Sequence, residues 1–203
     1  MEIVVRVGQG CLLLVFVLSV HGKVGGRRDY AEFTASVRAL LPLVAVRAPA
    51  GSAAVSVLAG SVVAAEAAVV VALAVPATVT VGLALATALL VPFTLLALAS
   101  SRRGSGTPCR CFGRSTTPLG AVHAVRNAAL LAVALAALVA SGLVTSAPAT
   151  SGLATSGPVG PAHAGPAVTV AAWLAGGVLG LLATALDDLV GLFRPLPRKE
   201  QSP

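Results

Sequence analysis

Apolar residues run in five blocks, over residues 3–20, 52–74, 77–99, 119–141 and 167–186, with few polar side chains inside each. A helix rises about 1.5 Å per residue, so roughly 20 apolar residues cross the hydrocarbon core of a bilayer. Each block meets or approaches that length and predicts a spanning helix. None alternates polar and apolar residues at period two, which excludes a transmembrane barrel. Little more than Val75 and Pro76 separates the second block from the third, so these two form a tight antiparallel hairpin, and Pro92 predicts a kink in the third. The first block could serve as a cleaved signal peptide with Arg6 as its n-region. However, Ser19-Val20-His21 is not a small-x-small site, and Gly8, Gln9 and Gly10 interrupt the apolar stretch. It reads as a retained helix.

The segments between the blocks differ in kind. From Asp29 to Leu41, Tyr30, Phe33, Val37, Leu40 and Leu41 recur at spacings of three and four, with Arg28, Glu32, Ser36 and Arg38 as the polar complement. That spacing predicts a short amphipathic helix on the membrane surface. Asp29 and Glu32 resemble a capping box, and Pro42 is expected to stop the helix. Residues 142–166 form an uncharged tract rich in Gly, Ser, Thr, Ala and Pro, the composition of a flexible linker. The expected organisation is a four-helix membrane domain over 1–141, this linker, a further spanning helix over 167–193 and a basic tail over 194–203. The fold class is an all-α polytopic membrane bundle, with an interfacial amphipathic helix after the first of its four core helices and a fifth span at the C-terminal end.

Composition sharpens this reading. The chain is 57% hydrophobic and only 10% charged, with a mean hydropathy of +0.94. Water-facing domains carry about 25% charged residues, and disordered chains are poorer still in apolar residues. Fourteen Lys and Arg stand against seven Asp and Glu. Nucleic acid is not the implied partner, because the cations lie between apolar blocks rather than along one face. The lipid bilayer is. Twelve of the fourteen, from Lys23 through Arg47, Arg102 through Arg114 and Arg194 through Lys199, fall on one side of a five-span topology. The positive-inside rule places that side in the cytoplasm.

Chemistry concentrates in Pro108-Cys109-Arg110-Cys111-Phe112-Gly113, just before the fourth span. Two cysteines one residue apart can form a redox pair, in which one thiolate attacks a disulfide and the second thiol resolves the mixed intermediate. Arg110, Arg114 and the following helix N-terminus all favour thiolates. A disulfide closing so small a ring would be strained and easily reduced. The same pair could bind Cu(I), or share Zn with His123; two free thiols in a turn is the third reading. Cys11, inside the first span, reads as a packing residue. Two ionisable residues lie within spans, Glu66 about 21 Å and Arg126 about 10 Å from the basic side. Their offset of about 11 Å leaves a direct pair within reach of tilt and a long Arg side chain. Alternatively, Arg126 snorkels to the near interface and Glu66 is a protonated acid bonded inside the bundle. Lys23, the cysteines, Arg126 and Asn127 converge on one end of the bundle. His21 and His163 carry no assigned role, and Asp187 and Asp188 close the last span. No nucleotide, metalloprotease or hydrolase motif occurs, and no cofactor or metal is called for.

Several stretches together resemble the methylamine utilisation protein MauE family and its DoxX-like relatives, the redox-associated membrane proteins. They are Gly8 to Lys23 with Ser19, Gly22 and Lys23; the Tyr/Phe-bearing segment ending Leu40-Leu41-Pro42; the Glu66 span; Cys109-Arg110-Cys111-Phe112-Gly113; and the Arg126-Asn127 span. The resemblance covers roughly residues 4–141. It implies a redox accessory that helps process, transport or mature an exported, disulfide-rich client such as the methylamine dehydrogenase small subunit. It also implies a membrane-anchored thioredoxin-like partner. Any enzymatic activity is then at most a thiol–disulfide relay. By the same resemblance Cys109 and Cys111 are candidate relay thiols, with Arg126, Asn127, Lys23, Phe112 and Gly113 supporting them. An extracytoplasmic client wants these cysteines outside, whereas the charge bias puts them inside, where they would pass reductant outward through a partner. From the residues alone, a small transporter lined by Glu66 and Arg126 is the alternative from a different class.

Overall fold

A computed structural model describes residues 1–44, 51–103, 121–146 and 165–192 of the chain. Their order is α1 (Glu2–Val24), α2 (Arg27–Val44), α3 (Ser52–Ala74), a 3₁₀ turn (Pro76–Thr78), α4 (Val79–Arg103), α5 (Ala121–Ser146) and α6 (Pro166–Leu192). Among the described residues there is no strand. Five helices, all but α2, are long and apolar enough to cross a membrane. The protein is an all-α polytopic membrane bundle.

Its surface is built for lipid. Val57, Val71, Val81, Leu95, Val125, Val139, Leu174 and Leu181 are exposed along all the later spans. In water such an apolar exterior would drive association; in hydrocarbon it is the matching solvent-facing surface. The interior holds Leu12, Val15 and Phe16 from α1, Leu73 from α3, Leu83 and Leu90 from α4, and Leu130, Ala134 and Ala137 from α5. Small residues let the helices approach. At Gly8 an added Cβ would stand 2.6 Å from the Ala137 methyl, and at Gly82 it would stand 2.8 Å from Leu73.

The α3–α4 hairpin forms as the sequence predicts. Val75 leaves the helix in an extended conformation and Pro76 opens the 3₁₀ turn. Thr78 Oγ1 donates to the Ala72 and Val75 carbonyls, satisfying groups that the end of α3 leaves orphaned. A second device caps the same end: Gln9 Nε2 of α1 donates 2.7 Å to the Leu73 carbonyl. Gln9, which interrupts an apolar stretch in the sequence, is thus the tie between α1 and the end of α3. Pro92 lies inside α4.

The amphipathic helix exists, with corrected ends. It begins at Arg27, so Asp29 lies within its first turn rather than at the cap, and Glu32 accepts 2.9 Å from Arg28 Nε. It also continues past Pro42 to Val44. A proline in the last turn removes only one intrahelical hydrogen bond, too little to end the helix there. Phe33 and Leu40 are buried, Leu40 against Ala97 and close to Ala124. The apolar face of α2 therefore docks on the bundle.

Helix α5 runs to Ser146, five residues into the tract read as a linker. Residues 147–164 of that tract and the basic tail lie outside the described residues. Helix α6 packs along α1, and their contact is backbone on backbone. A Cβ at Gly176 would collide with the Val7 carbonyl oxygen; one at Gly180 would stand 2.8 Å from the Cys11 carbonyl, and one at Gly10 2.6 Å from the Trp173 carbonyl. The contacts advance together along both chains, so the two helices are parallel, as an odd number of spans requires.

Candidate functional site

Ser19 and Lys23 stand one turn apart on α1 and share a face. Glu66 comes from α3. Lys23 Nζ donates to Glu66 Oε1 and Oε2, both at 2.7 Å, and to Ser19 Oγ at 2.6 Å. Ser19 Oγ in turn donates 3.2 Å to Glu66 Oε1. These three acceptors match the three protons of the ammonium. The two charged side chains are 1% and 0% exposed. From α2, the Phe33 ring centroid lies 5.2 Å from Lys23 Nζ, placing the ring's negative face toward the cation. One ion pair thereby joins α1, α2 and α3.

A Glu66–Arg126 pair, one of the arrangements the sequence leaves open, is not formed: Glu66 is bonded to Ser19 and Lys23, both on α1. The cause is the direction of side chains. Every Cα–Cβ bond tilts toward its own helix N-terminus. On antiparallel helices the Lys23 stem therefore reaches into the bundle while Glu66 reaches toward the basic end, and the two tilts close the axial gap between them. Arg126 is 2% exposed, so it does not snorkel out of the bundle.

A second polar group lies at the same end. His123, Arg126 and Asn127, from the first two turns of α5, are buried, as is Ser100 near the end of α4. The contact of Gly8 with Ala137 and Val133 fixes the register of α1 against α5. At equal rise along antiparallel helices, Ser19 and Lys23 then lie about level with those first turns. Asn127 Oδ1 is buried without a hydrogen-bond partner among the described residues. The structure thus brings Lys23, Glu66, Arg126 and Asn127 to one end of the bundle. Cys109, Cys111, Phe112 and Gly113 lie outside the described residues, in the connection between α4 and α5. Cys11 is a buried free thiol. Among the described residues, no cluster of three or more His, Cys, Asp or Glu could hold a metal ion.

The contributions of Ser19, Phe33 and Gln9 escape a reading by sequence. The i, i+4 spacing of Ser19 and Lys23 was the available signal for one of them.

An integral membrane bundle whose polar residues are gathered at one buried end is the class that this fold and site define. Residues 1–140 match the family described as Methylamine utilisation protein MauE. The chain belongs to that family. The match takes in α1 to α4 and most of α5, and ends before α6. No curated protein and no solved structure matches the chain.

Proposed function

We propose that this protein is a redox accessory of the cell membrane, supporting thiol–disulfide chemistry in the processing, transport or maturation of an exported protein. The client is a methylamine dehydrogenase-type small subunit or another disulfide-bearing chain. The observation that carries this reading is the family match over residues 1–140, which includes both the Cys109-Arg110-Cys111 motif and the Lys23–Glu66 pair.

In the proposed relay, a thiolate of the pair attacks a disulfide sulfur of the client and expels one client thiolate, giving a mixed disulfide. The second cysteine attacks that bond, releases the reduced client and leaves Cys109 and Cys111 joined. A membrane-anchored thioredoxin-like dithiol then reduces them, and its two electrons are those the client has gained. Arg110 and Arg114, the pair's neighbours in sequence, favour the thiolate form. Lys23, Glu66, Arg126 and Asn127 are the positioning residues of this reading, gathered at the end of the bundle where α4 and α5 are connected.

Trapping the thiols in growing cells tests this. Acid quenching followed by alkylation should show Cys109 and Cys111 in both oxidised and reduced forms, shifting to oxidised when the thioredoxin-like partner is deleted. Cys109→Ser and Cys111→Ser should each abolish client maturation while the protein still inserts. Full maturation with Cys109→Ser would exclude the relay.

A further inference from the structure

Helix α2 has two faces with different tasks. Its inner face carries Phe33 and Leu40 into the bundle. Its outer face is a single exposed stripe of Arg27, Arg28, Ala31, Ala35, Arg38 and Ala39. The alanines leave the middle of this stripe low, with an arginine standing at each end. Arg27 and Arg38 are about 16 Å apart along the axis. The other charges on α2 are accounted for. Arg28 is paired with Glu32, and Asp29 turns back toward Gly25 and Gly26, its Oδ2 lying 3.3 Å from where a Gly26 Cβ would stand. Neither Arg27 nor Arg38 has an acidic partner among the described residues. Two unneutralised guanidiniums are thus held on a docked, ordered helix. Tyr30 of that helix donates to the Ser56 carbonyl in the second turn of α3, so α2 lies at the end of a spanning helix, where lipid headgroups begin.

We propose that the outer face of α2 binds the phosphodiester headgroups of anionic phospholipids through Arg27 and Arg38. Phosphate matches the guanidinium fork, and a bilayer surface presents such groups side by side along a helix lying against it. Because the same helix holds Phe33 over Lys23, headgroups bound outside would keep the cover of the buried ion pair in place.

The test uses full-length, delipidated protein in detergent, titrated with phosphatidylglycerol or phosphatidylcholine and read by native mass spectrometry. The wild-type chain should take up phosphatidylglycerol in preference to phosphatidylcholine. In Arg27→Gln/Arg38→Gln, half-saturation by phosphatidylglycerol should rise about thirtyfold, or about fivefold for each cation at an anionic surface. Phosphatidylcholine binding should not change. Arg27→Lys/Arg38→Lys should retain most of the preference, which separates loss of charge from loss of fold. Unchanged phosphatidylglycerol binding in the glutamine variant would overturn the proposal. Competition by millimolar inorganic phosphate would do so too, by making this a free-anion site. A wild-type chain indifferent to lipid charge would instead assign the stripe to an acidic protein surface.

Discussion

Removing an ammonium or a carboxylate from water singly costs far more than removing the two together, and Lys23 and Glu66 are almost wholly buried. Lys23→Met leaves a carboxylate in the bundle with Ser19 alone, and Glu66→Gln leaves an uncompensated ammonium. Each should destabilise the protein by about 3–5 kcal/mol. The double variant Lys23→Met/Glu66→Met removes both charges at similar volume and should recover much of that loss. Thermal unfolding in detergent reads the cycle, and strictly additive effects would show that the two groups do not act as a pair. The cap on α3 is a separate matter. Gln9→Leu strips the Leu73 carbonyl of its partner and should cost about 1–3 kcal/mol, the penalty for an unsatisfied buried acceptor. Glu66 was legible in the sequence, because a charge inside an apolar block is conspicuous, and Lys23 was legible as the cation that ends the first helix. Their pairing was not. Helical rise locates Cα atoms, whereas the bond depends on where two long side chains lean, and Phe33 and Ser19 enter only once three helices meet.

Elements with strong periodicity were the most legible. All five spans appear within a few residues of their apolar blocks, since hydrophobic length alone specifies a membrane helix. The end of α2 was misread because Pro42 ends a helix only when the lost bond matters, and in a final turn docked through Leu40 it does not. The seam between α1 and α6 was hidden for a different reason. Glycines are common in spanning helices, and only the assembled pair shows that Gly176 and Gly180 admit the α1 backbone at Val7 and Cys11. That contact carries a prediction about a whole element. Gly176→Leu has no room for its side chain, so α6 must move off α1. Thermal unfolding in detergent should show this variant destabilised by about 1–3 kcal/mol, whereas Gly177→Leu, where an added Cβ meets nothing within 4 Å, should leave stability unchanged. Equal stability of the two variants would mean that this glycine does not seat α6 on α1.

At the scale of the molecule, the remaining issue is which way the bundle faces. Five spans put the polar end of the site, the α4–α5 connection and the region after α6 on one side, and twelve of the fourteen basic residues accompany them. The retention of cations on the cytoplasmic side acts on short loops near the spans, as these are, so the bias predicts a cytoplasmic site. The proposed role sets a competing requirement, because a thiol acting directly on an exported client has to be outside. Buried interactions do not decide between them: Lys23, Arg126 and Glu66 are neutralised or enclosed within the bundle in either orientation, so the deciding charges are the loop arginines. A Cys11→Ser variant, which leaves only Cys109 and Cys111, reads the outcome directly. A membrane-impermeant maleimide applied to intact cells, before and after reduction, should give no label, and permeabilisation should expose both thiols. That result would exclude direct attack of the pair on an exported client and would leave a relay in which the pair passes its electrons outward through a partner crossing the membrane. Labelling of intact cells only after reduction would mean an extracytoplasmic disulfide. The proposed role would then be met by direct contact with the client, and the arginines of α2 would face the outer leaflet.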